Sequence, residues 1–223
     1  MREGYPPEIE ERLRAESREI VARYPQARSA LMPMLHLIQS VDGFVSPRGI
    51  ALCADVLGLT RAEVSAVATF YSQYRRRPNG EYNVGVCTNA LCAVMGGDEI
   101  WEALTSSLGV GSDETTPDGK ITLEALECNA GCDYAPVVMV NWEFSDNQTP
   151  TSALQIVEDI RAGRDLHPTR GADKVHTFKE TERVLAGFED GHADEGPGAG
   201  RASLRGLEIA RERGWSAPKE VAK

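Results

Sequence analysis

The apolar positions fall into two regimes along the chain. Up to about residue 76 they recur at helical spacing. Ile9, Leu13, Ile20 and Tyr24 form one stripe of a segment that Pro6 and Pro7 open. Leu31, Met34, Leu35 and Ile38 form the face of a second helix, which Ser29 is placed to cap and Gly43 follows. Pro33 is tolerated there because it falls in the first turn. Ser46–Pro47 is an N-cap followed by proline at the first helical position, and Ile50, Cys53, Val56 and Leu57 share one side before Gly58. Thr60-x-x-Glu63 is a capping box for a fourth helix, with Val64, Val67, Ala68 and Tyr71 as its stripe. A helical bundle over residues 1–78 is expected.

The turn-rich, basic stretch Arg75–Gly80 ends this regime. Beyond it Tyr82, Val84 and Val86 alternate as in a strand. Ile100, Leu104 and Leu108 return to helical spacing, closed by Gly109. Pro117-Asp118-Gly119 is a turn, after which Ile121 and Leu123 begin a second strand. Val137–Val140 is a continuous apolar run suited to a strand buried on both faces, and Trp142 and Phe144 alternate beyond it. Thr149–Pro150 caps a last helix with Leu154, Val157 and Ile160, ended by Gly163. The cap also accounts for Thr149 within the glycosylation-like sequence Asn147-Gln148-Thr149.

The order β-α-β-β-α predicts a compact α/β layer over 79–164, so the fold class is α+β, a helical bundle followed by an α/β domain. Residues 165–223 read as an extended C-terminal tail, too poor in apolar residues for a third domain and suited to lie as an arm across a partner. Within it Phe188–Arg201 is a linker rich in Gly, Asp and Glu, and a short helix over Ala202–Arg213 carries Leu204 and Leu207.

Composition narrows the function by exclusion. The 223 residues carry a net charge of −10, which argues against nucleic acid, because phosphate binding needs clustered Lys and Arg. Met1 to Glu11 has no apolar run of a secretory signal. The longest mostly apolar stretch, Ala30–Ile38, is far short of the roughly 18 residues of a spanning helix. No direct membrane insertion and a cytoplasmic location are expected. Five cysteines, an odd count, fit a disulfide framework poorly, and in a reducing compartment four paired ones suit a metal.

Cys87-x4-Cys92 follows the first strand of the second domain and Cys128-x3-Cys132 follows the second, so both pairs can converge on one site. Four thiolates suit zinc or an iron–sulfur cluster, and spacing alone leaves both open. The third nearby cysteine of a plant-type ferredoxin is missing. A thiol oxidoreductase would want Cys-x-x-Cys, which is absent too. Cys53 lies on the apolar stripe of the third helix as a core thiol, and His36 beside an apolar face as a packed histidine. His167, His176 and His192 are scattered in the tail and expected to be solvated. Gly196-x-Gly198-x-Gly200 lacks both the preceding strand and the spacing of a nucleotide loop.

The wording around the cysteines narrows the choice. Val86-Cys87-Thr88-Asn89-Ala90-Leu91-Cys92 and Glu127-Cys128-Asn129-Ala130-Gly131-Cys132-Asp133-Tyr134-Ala135-Pro136 resemble the two ligand loops of the thioredoxin-like [2Fe–2S] ferredoxins. Ala68-Thr69-Phe70-Tyr71, Thr115-Thr116-Pro117-Asp118-Gly119-Lys120 and Ala135-Pro136-Val137-Val138 extend the resemblance to the E-type subunits of bacterial respiratory complex I, an NADH-quinone oxidoreductase, over residues 18 to 162.

The resemblance implies a thioredoxin-like domain with one [2Fe–2S] cluster, Cys87 and Cys92 on one iron and Cys128 and Cys132 on the other. It implies an electron-transfer subunit that is not catalytic alone. FMN and NADH belong to a neighbouring flavin- and NADH-binding subunit, beside a large iron–sulfur subunit, in the peripheral arm of a membrane-bound complex. Many relatives have Leu-Gly after the third ligand, where this chain has Asn129-Ala130. Glu124, Glu127 and Asp133 near the second pair are expected to lower the cluster's potential. Two other functions stay open, the small subunit of an NAD-dependent hydrogenase or formate dehydrogenase, and a structural zinc scaffold.

Overall fold

The computed structural model describes residues 4–192, 195, 196, 198 and 200–216, apart from the side chains of residues 202 and 203. Four helices come first: α1 (Pro7–Val21), α2 (Leu31–Asp42), α3 (Pro47–Leu57) and α4 (Arg61–Phe70). Ser46 accepts a hydrogen bond from the Gly49 N–H, and the Thr60–Glu63 capping box is formed. Ser29 does not cap α2. It lies in a 3₁₀ turn, Ala27–Ala30, that winds directly into the helix. Leu13, Ile20, Met34, Leu35, Ile38, Cys53, Val64 and Ala68 make one core.

Helix α3 approaches α2 closely at Gly49, where an added Cβ would sit 2.2 Å from Ile38 Cγ2. Gly49→Ala is expected to lose about 1–3 kcal/mol through overpacking, although alanine is the better helix former by about 1 kcal/mol. Chemical denaturation measures the sign. A stabilised variant would show that the two helices can move apart freely.

The second regime forms a sheet of five strands in the order β2-β3-β1-β4-β5. These are β1 (Tyr82–Cys87), β2 (Glu114–Thr115), β3 (Ile121–Leu126), β4 (Val138–Val140) and β5 (Glu143–Ser145). Strands β1 and β3 run parallel, and β4 is antiparallel to β1. Strand β2 has only two residues and no apolar alternation, so periodicity could not show it. Asn141 and Trp142, at φ 47° and 74°, make a tight turn that folds β5 back on β4.

Helices α6 (Asp98–Leu108) and α7 (Pro150–Ala162) pack Ile100, Leu104, Val157 and Ile160 against Val84, Val86, Ile121 and Leu123. Alternation along β1 therefore turns Asn83, Gly85 and Cys87 to the opposite face. Among the described residues no helix is long and apolar enough to cross a membrane.

The stretch after 164 departs from the extended tail expected for it. Helix α8 (Phe178–Leu185), opened by a Thr177–Glu180 capping box, returns to the bundle and lies along α2. Phe178 and Ala186 are fully buried. This second cover explains why α2 is buried on more than its one expected face, with Leu37, His36 and Gln39 enclosed as well. The last described helix, α9 (Arg201–Glu212), leaves Leu204 and Leu207 exposed.

Candidate metal centre

Cys87 is the last residue of β1 and stands in register with Leu126, the last of β3. Parallel pairing thus delivers both cysteine loops to one end of the sheet. After Cys87 the chain makes one short helical turn, α5 (Ala90–Cys92), and a π-type turn over Ala93–Gly97 that runs into α6. Gly97 closes this loop. A Cβ there would lie 2.6 Å from the Cys87 carbonyl oxygen and 2.8 Å from that of Cys92, so only glycine lets the backbones meet. The second loop leaves β3 at Leu126 and ends at the cis Ala135–Pro136 peptide. The Cys87 N–H donates to the Val137 carbonyl at 3.1 Å, and Asn89 Nδ2 donates to Glu127 Oε2 at 3.1 Å, which ties one loop to the other.

All four cysteines carry free thiols, Cys87 and Cys92 buried and Cys128 and Cys132 exposed. The sulfurs of Cys128 and Cys132 are 4.0 Å apart. Two thiolates on one tetrahedral metal with bonds of about 2.3 Å stand about 3.8 Å apart, so this pair has the span of a shared ion. The Ala130 N–H reaches Cys128 Sγ at 3.4 Å, the kind of contact that steadies a thiolate. Burial pushes the Cys92 thiol up to about 11, with the neighbouring Cys87 adding to it. Cys132 is raised first by its contact with Cys128. Thiolates so crowded repel one another, and a bound cation removes that cost. Among the described residues no three His, Cys, Asp or Glu side chains gather tightly enough for one metal ion. The cysteines stand as two pairs, the donor set that a cluster of two irons needs.

Residues other than the cysteines shape the second loop. Ala130 takes φ 57°, a left-handed conformation that costs a residue with a Cβ about 1–2 kcal/mol. Arg170, from the stretch after α7, lies under this loop with its guanidinium 3.9 Å from the Phe144 ring centre and an ion pair to Asp146 at 3.1 Å. No local pattern could connect Arg170 to a loop forty residues earlier.

Glu124 does not act as expected. It is buried, receives Arg75 Nη1 at 2.8 Å and Asn83 Nδ2 at 3.0 Å, and so brings no free charge to the cysteines. Glu127 and Asp133 remain exposed.

Cys53 is enclosed in the bundle core, where burial pushes its thiol up to about 12. His36 is a packed histidine, with Nδ1 2.6 Å from Glu182 Oε2. His167 is exposed, whereas His176 and His192 are not scattered, their ring centres lying 5.2 Å apart.

The family model for thioredoxin-like [2Fe–2S] ferredoxins matches residues 17–161. The chain is 58% identical over 216 residues to the E-type subunit of NADH-quinone oxidoreductase from Mycobacterium tuberculosis, covering 96% of this chain and 85% of that one. It is 38% identical to NADH-quinone oxidoreductase subunit 2 of Thermus thermophilus over 151 residues, 66% of this chain and 83% of that one. Among solved structures, a chain of an NAD+-reducing [NiFe]-hydrogenase matches 60% of this chain and 23% of its own length, with a TM-score of 0.54. At 19% identity that likeness is one of fold.

Proposed function

The chain belongs to the thioredoxin-like [2Fe–2S] ferredoxin family, as an electron-transfer subunit of NADH-quinone oxidoreductase, and we propose that Cys87, Cys92, Cys128 and Cys132 hold its cluster. The observation that carries this reading is the convergence of the two cysteine pairs at the shared end of β1 and β3. Bound there, a [2Fe–2S] cluster exchanges one electron at a time. The chain's own residues hold and orient it. Cys87 and Cys92 fix the inner side in the apolar layer of Val137 and Met139, which keeps water away. Cys128 and Cys132 hold the outer side at the surface.

Leu91, Val94 and Met95 are 46%, 83% and 56% exposed beside Cys92. Such an apolar patch next to a redox centre is read as the seat of the flavin- and NADH-binding subunit, with the large iron–sulfur subunit as the second neighbour. On this reading the chain lies on the cytoplasmic side, in the peripheral arm. Its domains are read as a bundle over 1–78 and a cluster domain over 79–164. The second reading is the small subunit of an NAD-dependent hydrogenase or formate dehydrogenase, and identification of copurifying subunits separates those assemblies.

The experiment follows cluster reduction by paramagnetic resonance. In the pure, cluster-loaded chain, dithionite is expected to reduce the cluster and NADH to do nothing. Among the described residues no strand leads through a Gly-x-Gly-x-x-Gly loop into a helix, the feature that cradles a pyrophosphate. Adding the flavin-bearing subunit should make NADH an effective donor. Reduction by NADH without it, in the absence of any contaminating flavoprotein, would overturn this division of labour.

A further inference from the structure

A cleft of about 620 Å³ lies between the end of α4 and the edge of the sheet, bounded by Tyr71 and Arg75–Asn79 on one side and by Asp113 and Glu124 on the other. The centre described above does not use it. Its inner arginine, Arg75, is occupied by Glu124 and, at 3.6 Å, by Asp113. Arg76 and Arg77 also line the cleft, are exposed, and make no ion pair among the described residues.

Beside the cleft Phe70 stands 79% exposed, edge-on to Tyr71 at 4.9 Å. Tyr71 in turn meets Tyr74 edge-on at 6.0 Å, and Tyr74 is anchored in the bundle by a 3.1 Å hydrogen bond to the Met32 carbonyl. This aromatic ladder is already held in place, so a partner that meets it orders little further chain. Aromatic and arginine side chains dominate the energetics of protein interfaces. The chain as a whole has a net charge of −10, so two arginines in one cleft that pair with no carboxylate among the described residues select a partner by sign.

We infer that this cleft seats an acidic segment of another subunit of the same complex, its carboxylates on Arg76 and Arg77 and an apolar side chain against Phe70 and Tyr71. The inference rests on the chain's membership of that complex and names a contact separate from the apolar patch beside Cys92. The cleft also adjoins the centre. The Arg75 guanidinium lies 5.3 Å from the Trp142 ring centre, Trp142 packs against the layer of Cys87 and Cys92, and Glu124 lies on the strand that leads to Cys128.

The test uses the full, cluster-loaded chain and the purified remaining subunits of the NADH-quinone oxidoreductase, with association and dissociation rates read at low and high salt. Arg76→Glu with Arg77→Glu is expected to slow association about tenfold or more and to flatten its salt dependence. Phe70→Ser is expected to speed dissociation about tenfold. Both variants should keep the unfolding curve and visible spectrum of the parent, because the replaced side chains are exposed. A photo-cross-linking residue at position 70 should attach to a stretch of a partner subunit that carries Asp or Glu. Unchanged rates and salt dependence would overturn the inference, as would a cross-link to a second copy of this chain or to a stretch without acidic residues. If the parent chain itself failed to associate, the assignment to the complex would fall first, which keeps the two failures apart.

Discussion

Cys87→Ala or Cys92→Ala is expected to abolish the visible charge-transfer absorbance and to leave the purified chain without stoichiometric iron and sulfide. In the proposed ligation each thiolate supplies one of four bonds, and both of these side chains are buried away from solvent. Cys128→Ala and Cys132→Ala should have the same outcome, reached through a labile, partly loaded form, because that pair faces solvent. Cys53→Ala is the control. Its thiol is enclosed among the apolar side chains of the bundle, so removing it should cost on the order of 1 kcal/mol and leave the cluster in place. Iron and sulfide analysis of the five variants, with their absorption spectra, decides the matter. Loss of iron from Cys53→Ala alone would show the ligand set to be wrong.

Ending the chain before Gly171 is expected to destabilise the bundle severely, although every residue removed lies outside the matched ferredoxin region. Helix α8 goes with the truncation, and with it Phe178, whose loss from a core costs about 3–5 kcal/mol. Glu182 goes too. Its carboxylate is fully buried, receives Gln39 Nε2 at 2.6 Å, pairs with His36 Nδ1, and meets Trp142 Nε1 at 3.5 Å. Without it His36 and Gln39 lose that partner, an added cost of about 1–3 kcal/mol for each group left buried and unpaired. Set against a total stability of about 5–15 kcal/mol, the sum threatens the bundle outright. Thermal unfolding followed by circular dichroism should show a midpoint lower by roughly 10 °C or more, or no cooperative transition. Phe178→Ala separates the apolar part of the effect from the ionic part. A truncated chain that unfolds like the parent would mean that α8 adds nothing to the bundle.

These two expectations divide cleanly by where their information lies in the chain. The helices α2, α3 and α4, the strands β1 and β3 and the two cysteine pairs were legible because each depends on residues within a few positions. Ser46 caps Gly49, Thr60 boxes with Glu63, and Val84 and Val86 alternate on one face. Hydrophobic period, capping chemistry and ligand spacing are local signals, and a single sequence carries them in full.

Helix α8 was invisible in the same reading because its buried face includes a carboxylate. Glu182 looks like a solvated residue until His36 and Gln39, more than 140 positions earlier, are brought beside it. Glu124 likewise reads as a surface charge near the cluster loop, yet it is buried on β3, where Arg75 offsets its charge and Asn83 donates a further hydrogen bond. A buried ionic group needs its partners in place to offset the loss of water, and those partners come from distant elements. The sequence by itself therefore determined the elements and the spacing of the two cysteine pairs. Only the tertiary structure decided which polar groups are enclosed and what the C-terminal stretch covers, because burial belongs to the assembled surfaces and not to any one segment.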